Sequence, residues 1–359
     1  MNQSHPKVSD LSIELSSSML AAIKQMDTVK TKLLIVLKDS KYHSMLSIGD
    51  IQRALIKGKP IQTIIADILR PRHKVNVAHE HDSFDEIKNL IIEKKVEFMP
   101  VVNDSGDIIK IHFGDEITGL TRGATSQKID CPVVIMAGGK GTRLKPLTNV
   151  IPKALVPVGE KPIIEKIIDR FNKVGVKDVY LTVNYKYELI EQYFKSLEPG
   201  SYNVNYIIED DFLGTAGSLF YLKDKINETF FVSNCDIIID QDYSEIFEYH
   251  KTNKNELTIV GGLKHYPIPY GTLKTAENGL LTEIQEKPEL TFMVNTGMYV
   301  LEPHLLQEIP EKKFFHITEL IEKVRSQNRK VGVFPVSEKS WVDIGQWNDY
   351  IRGLDNLAE

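Results

Sequence analysis

Residues Cys131 to Gly159 read CPVVIMAGGKGTRLKPLTNVIPKALVPVG, and the rest of the chain is interpreted outward from them. Val133 to Ala137 are five apolar residues in a row, which predicts a strand buried on both faces. Gly138, Gly139 and Gly141 follow. They let the backbone turn sharply and let a ligand approach without meeting a Cβ atom. Free amides in such a turn form an anion-binding concavity, to which Arg143 and Lys153 add full positive charges. The stretch fits neither common phosphate loop: Lys140 is followed by Gly141 instead of Ser or Thr, and Leu144 stands where a third dinucleotide-type glycine would be.

The string Gly138-Gly-Lys-Gly-Thr-Arg-Leu144, with Pro146, Thr148 and Pro152-Lys153, resembles the signature of the sugar-1-phosphate nucleotidyltransferases, the pyrophosphorylases that make nucleotide-sugars. The resemblance covers roughly the last two thirds of the chain and returns at later motifs. It implies a catalytic domain over 131–359 with a Rossmann-like, mostly parallel sheet flanked by helices.

Composition sets the outer limits. At 359 residues the chain has room for two or three domains, and 42% hydrophobic content is ordinary for a globular protein. Its apolar runs fall short of the roughly 18 residues that span a bilayer, and MNQSHPKVSD lacks the basic and apolar segments of a secretory signal. A cytoplasmic protein with no membrane partner is expected. Two cysteines, Cys131 and Cys235, make no disulfide framework and have no metal-ligand spacing, so both are expected to be small buried residues. A net charge of −5 argues against nucleic acid as a partner.

Before Cys131 the order helix, strand, turn, strand, helix occurs twice at a spacing of roughly 65 residues, which predicts a duplicated module. Met19, Ala22, Ile23 and Met26, then Leu33 to Leu37 and Ser44 to Ser47, form the first copy; Phe84, Ile87, Leu90 and Ile91, then Phe98 to Val102 and Ile108 to Ile111, form the second. The halves, about 1–68 and 69–123, join at Arg70-Pro71-Arg72, and 124–130 is expected to be a linker. The pair resembles tandem CBS domains, an α+β module. That resemblance implies an adenine nucleotide between the halves and a homo-oligomer. Ser47 and Asp50 match the family's Ser/Thr-x-x-Asp, where the hydroxyl meets phosphate and the carboxylate takes the ribose hydroxyls. Asp115 is the matching position of the second half, where His112 replaces the hydroxyl residue. Packing and dimerisation without a ligand is the alternative role for this module.

In the catalytic stretch, Pro162 to Phe171, Val179 to Val183, Tyr187 to Leu197, Val204 to Ile208 and Phe230 to Ser233 alternate helical and strand patterns. Such alternation predicts a mainly parallel sheet with ligands at the carboxyl ends of its strands. Asp236 follows one of these strands. A strand-terminal Asp is half of a Mg²⁺ site, because that cation takes carboxylate and phosphate oxygens. The resemblance places the other half at Asp343 in Trp341-Val-Asp-Ile-Gly345.

The resemblance also implies further site residues. Ala137, Gly138, Gly139, Gly141 and Thr142 would bind nucleotide, together with Glu209, Gly214, Thr215 and Gly217 of EDDFLGTAG, the segment that borders the base. A carboxylate at Glu209 can accept from both N1–H and the amino group of guanine, which favours GTP. Gly271, Glu286 and Lys287 of Glu286-Lys-Pro288, and Asn295 of Asn295-Thr-Gly297, would hold the sugar phosphate. Arg143, Lys153, Asp236 and Asp343 would be catalytic: the sugar phosphate attacks the α-phosphorus of an NTP, and the protein positions the anions and neutralises charge. The expected reaction is GMP transfer to a sugar 1-phosphate of mannose or amino-sugar type. The same enzyme using UTP or dTTP, and a non-catalytic nucleotide-sugar sensor, are the alternatives.

Overall fold

The computed structural model describes residues 5–70, 77–94, 96–118, 128–198, 200–347 and 350–351. The junction residues 71–72 and linker residues 124–127 lie outside them. The chain divides into two compact units, Met1–Thr125 and Ser126–Glu359.

The N-terminal unit contains α1 (Val8–Leu11), β1 (Ser12–Glu14), α2 (Met19–Val29), β2 (Leu33–Lys38), β3 (Lys41–Ser47) and α3 (Ile48–Ile56). There follow β4 (Ala78–His79), α4 (Phe84–Lys94), β5 (Phe98–Val102), β6 (Ile108–Phe113) and α5 (Gly114–Thr118). Helix α2 forms where the periodicity places it. Ser18 caps the amide of Ala21, and Met19, Ala22, Ile23 and Met26 are buried at helical spacing. The helix stops at Lys30, whose φ of 54° is left-handed.

The two halves repeat one pairing scheme. β1 is parallel and β3 antiparallel to β2, while β4 is parallel and β6 antiparallel to β5. Leu33 and Ile35 of β2 share a core with Phe98 of β5, and Thr31 donates to the Glu97 carboxylate. Packing across the duplication therefore makes one body of the two three-stranded sheets.

The C-terminal unit is built on a seven-stranded sheet. Its elements are β7 (Val133–Met136), the small hairpin β8 (Pro157–Val158) and β9 (Lys161–Pro162), α6 (Ile163–Lys173), β10 (Asp178–Val183), α7 (Tyr187–Ser196), β11 (Asn203–Ile208), β12 (Phe230–Asn234), β13 (Ile237–Ile239) and α8 (Tyr243–Asn253). They continue with β14 (Leu257–Pro267), the hairpin β15 (Thr272–Thr275) and β16 (Leu281–Gln285), β17 (Glu289–Leu301), α9 (Ile317–Ser326), β18 (Val331–Val336) and β19 (Trp341–Asp343).

The strand order in the large sheet is β11-β10-β7-β12-β17-β14-β18. Strands β11, β10, β7 and β12 are parallel, but β17 runs antiparallel to both β12 and β14, so the sheet is mixed. The β17 pairing follows from the long β14–β17 ladder, which carries chain back along the sheet instead of through a helical crossover. One face is covered by a core that includes Leu219, Leu306, Leu320 and Val324. On α6, Phe171 packs on Phe231 and Tyr243 with ring centroids 5.2 and 4.6 Å away. Cys131 and Cys235 are buried, and desolvation pushes both thiols up to about 12.

Candidate active site

The parallel strands β7, β10, β11 and β12 end along one edge of the sheet, and the glycine turn opens there directly from β7. Ala137 is buried, with its amide bonded to Thr182 O at 2.8 Å. A Cβ on Gly138 would stand 2.8 Å from Glu209 Oε1, so only glycine fits above that carboxylate. Gly139 has open space around it. Gly141, at φ 61°, lies so close to Thr148 and Lys153 that a Cβ would meet both side chains at 2.9 Å; Thr148 Oγ1 also donates to Gly141 O at 2.8 Å. The bend is thereby pinned to the segment carrying Lys153. Thr142 to Leu144 form a 3-10 turn whose Leu144 is fully buried, so the residue that breaks the dinucleotide pattern is the anchor of the loop.

The second half of the site comes from a strand pair distant in sequence. β13 runs antiparallel to β19 with Ile237 opposite Asp343, and Ile344 N donates to Asp236 O at 2.9 Å. Around Gly345 the groups meet. The place a Cβ would occupy lies 2.5 Å from Asp236 Oδ2, 2.8 Å from Asp343 Oδ1 and 3.4 Å from Lys153 Nζ. Lys153 Nζ donates to Asp236 Oδ2, and Asp343 Oδ1 accepts from Gly345 N at 2.7 Å. Burial, and then the neighbouring charge of Asp236, push the Asp343 carboxyl above its ordinary range; Lys153 and Arg143 act in the opposite direction. Two carboxylate oxygens within 3 Å of one point are a donor set suited to a hard cation.

Arg143, Asp236 and Asp343 line one cleft of about 470 Å³ with Asn295, His316 and Trp341. Asn295 lies inside β17, which continues to Leu301; its Oδ1 accepts from Gly297 N at 3.0 Å. Trp341 Nε1 is buried without a partner among the described residues. Sequence reasoning missed Asn234, Tyr299 and His316. Asn234 had a signal: it precedes Asp236 on the same strand end, and a Cβ on Gly297, at φ 89°, would meet its Nδ2 at 2.4 Å. His316 had none, since only tertiary pairing brings it to the cleft.

Four groups of the expected binding residues have defined protein surroundings. Gly214 and Gly217 do permit close approach, but of this chain's own backbone: Cβ atoms there would meet Phe315 O at 2.7 Å and Lys313 O at 2.6 Å. The amides of Ala216 and Gly217 both donate to Phe315 O, which closes the contact. Thr215 Oγ1 accepts from Ile317 N at 3.0 Å and so serves the start of α9. Gly271, Glu286 and Lys287 do not join the cleft. Gly271 and Glu286 are neighbours, a Cβ on the glycine standing 3.0 Å from Glu286 Oε2, but all three residues are exposed beside the β15–β16 hairpin.

Asp50 is the fourth. Its Oδ2 accepts from Ser47 N at 2.9 Å and Ser47 Oγ at 2.6 Å, and its Oδ1 from Arg70 Nε at 2.6 Å and Arg53 Nη2. The carboxylate that was to take ribose hydroxyls is filled by protein donors. Asp115, half-exposed, accepts from Glu116 N at 2.9 Å and lies 3.7 Å from His5 Nε2.

Glu209 is buried. Leu213 N donates to its Oε2 at 3.3 Å, and desolvation raises its pKa while Leu213, Thr182 and Ser218 lower it.

A glycine bend, basic side chains and paired carboxylates at the strand ends of an α/β sheet define a protein that handles phosphorylated ligands. Residues 132–359 match the Nucleotidyl transferase family, and the chain belongs to it. It is 34% identical over 229 residues to a probable mannose-1-phosphate guanylyltransferase 2 of Oryza sativa, covering 62% of this chain and 63% of the relative. The aligned region thus spans under two thirds of that relative's length. Among solved structures, HddC from Yersinia pseudotuberculosis superposes with a TM-score of 0.51 at 28% identity, over 63% of this chain and 99% of that one. The same protein complexed with GMP-PN gives 0.51 at 27%. No helix among the described residues is long and apolar enough to cross a membrane.

Proposed function

We propose that this chain transfers GMP from GTP to a sugar 1-phosphate, forming a GDP-sugar and pyrophosphate. The observation that carries the reading is the meeting of Lys153, Asp236 and Asp343 at Gly345, in the cleft that Arg143 also lines. An oxygen of the sugar phosphate attacks the α-phosphorus, and the bond to the pyrophosphate oxygen breaks. The nucleophile is already an anion, so the side chains chiefly hold two anions together and offset their charge. Arg143 retains the departing phosphates. Lys153 exchanges Asp236 for the α-phosphate. Asp236 and Asp343 would hold Mg²⁺, which when bound neutralises phosphate charge.

Guanine is favoured because relatives are named guanylyltransferases, and Glu209, whose Oε1 faces Gly138 in the glycine bend, is the candidate acceptor for its N1–H and amino group. Mannose 1-phosphate is the first sugar to test, on the same names. Pyrophosphate release is to be measured with GTP, ATP, CTP, UTP and dTTP against mannose, glucose and glucosamine 1-phosphates. A preference for UTP or dTTP would defeat the guanine reading, and silence throughout would favour a sensor.

The N-terminal unit we read as a tandem CBS pair, supported by its repeated sheet order. An adenine nucleotide entering at Asp50 would have to displace Arg53 and Arg70.

A further inference from the structure

His316 reaches the cleft because the backbone around Phe315 pairs with the loop 213–217: Phe315 N donates to Leu213 O at 3.0 Å, and Phe315 O accepts from Ala216 and Gly217. The ring is fixed on two sides. Phe314 meets it edge to face, with centroids 4.8 Å apart and planes at 82°, and Nδ1 lies 3.3 Å from Thr215 Oγ1.

The Thr215 hydroxyl accepts from Ile317 N, and among the described residues its own proton has no acceptor but His316 Nδ1. Taking Nδ1 as the acceptor satisfies that proton, and this choice assigns the tautomer. In a neutral imidazole the proton then sits on Nε2, making that nitrogen a donor. Nε2 has no hydrogen-bond partner among the described residues, and the ring lines the cleft beside Asn295, Thr318 and Trp341. Gly138, Gly139 and Glu209, the side assigned to the base, do not line it.

We propose that His316 is a substrate-binding residue whose Nε2–H donates to an oxygen of the sugar 1-phosphate, and that Thr215 is a positioning residue that fixes the donating tautomer. This rests on reading the cleft as the site of nucleotidyl transfer to a sugar phosphate. It moves Thr215 from the nucleotide side of the reaction to the sugar side.

The test is steady-state pyrophosphate release with GTP and whichever of mannose, glucose or glucosamine 1-phosphate the unaltered chain uses best. His316→Ala raises the KM for that sugar phosphate about tenfold, the worth of one well-placed hydrogen bond, and leaves the KM for GTP within about twofold. His316→Gln, whose amide nitrogen can take the place of Nε2, recovers most of the loss. Thr215→Val raises the same KM about threefold, and Thr215→Ser does not. An unaffected His316→Ala overturns the proposal, as does a matching rise in the KM for GTP or a Thr215→Ser variant as impaired as Thr215→Val. An unaltered chain silent with all three sugars defeats the transfer reading itself, and this inference with it. An active chain with indifferent variants defeats the inference alone.

Discussion

Asp50 in the N-terminal unit is buried and Asp343 in the C-terminal unit is half-buried, yet their charges are treated in opposite ways. Burial alone would raise Asp50, but hydrogen bonds from Ser47 and the guanidinium of Arg70 outweigh it and hold the carboxyl below its ordinary range. Asp343 is pushed up by burial and by Asp236 beside it, and the opposing cations do not compensate. A settled charge stabilises the fold that contains it. An unsettled one costs stability and is kept where a ligand will complete it. On this contrast we propose that the Asp50 cluster is structural as it stands and that the Asp236–Asp343 pair is functional.

The largest expected effect tests the functional side. Asp236→Asn should lower turnover at least about a thousandfold, on the order of 4 kcal/mol of lost transition-state stabilisation, while the chain still melts cooperatively. Near-normal pyrophosphate release in that variant would remove the metal role and with it the contrast.

Next in size is Asp50→Asn. Removing the carboxylate from two arginines that are themselves half-exposed should destabilise the N-terminal unit by about 2 kcal/mol in urea titrations, with little change in turnover. The depressed pKa of Asp50 sets the sign of its pH dependence: the stabilisation is present above about 3.9, the unfolded value, and is lost as pH falls through the lower folded value. A variant that melts like the unaltered chain at neutral pH, or loses turnover as Asp236→Asn does, would show that the two carboxylates are not opposites.

Asp343→Asn should separate stability from activity within the cleft. Loss of the like charge should leave the C-terminal unit equally stable or up to about 1 kcal/mol more stable in thermal melts, while turnover collapses. Clear destabilisation would mean that Asp343 is a structural partner of Lys153 and Arg143.

The smallest effect is expected at His250, a third way of burying a titratable group. Its ring is fully buried between Thr258 and Glu302, and desolvation, only partly offset by Glu302, lowers its pKa. The unfolded chain then binds the extra proton, so stability falls as pH drops below about 6.5 and levels off under the folded value. His250→Gln should flatten the melting midpoint between about pH 7 and pH 5; an unchanged slope would assign the dependence to other groups.

Much of this was legible locally. The apolar run before Gly138 had to be a central strand, and the spacing in α2 and α6 had to make helices with one buried face, because side-chain period and burial are properties of neighbouring residues. The glycine bend, Lys153 and Asp236 could be marked as candidate site residues from residue type, strand-end position and the family resemblance. Sequence patterns did not separate a glycine that admits a ligand from one that admits another segment of chain, as Gly214 and Gly217 do with residues 313–315. Nor did they reveal that Arg70 fills Asp50, or that Thr215 faces His316. Taken alone, the sequence determined which residues carry charge, which bend the chain and which must be buried. Tertiary structure decided which charges meet, since register between β13 and β19, and backbone pairing between the 213–217 and 315 segments, are set by packing between residues far apart in the chain.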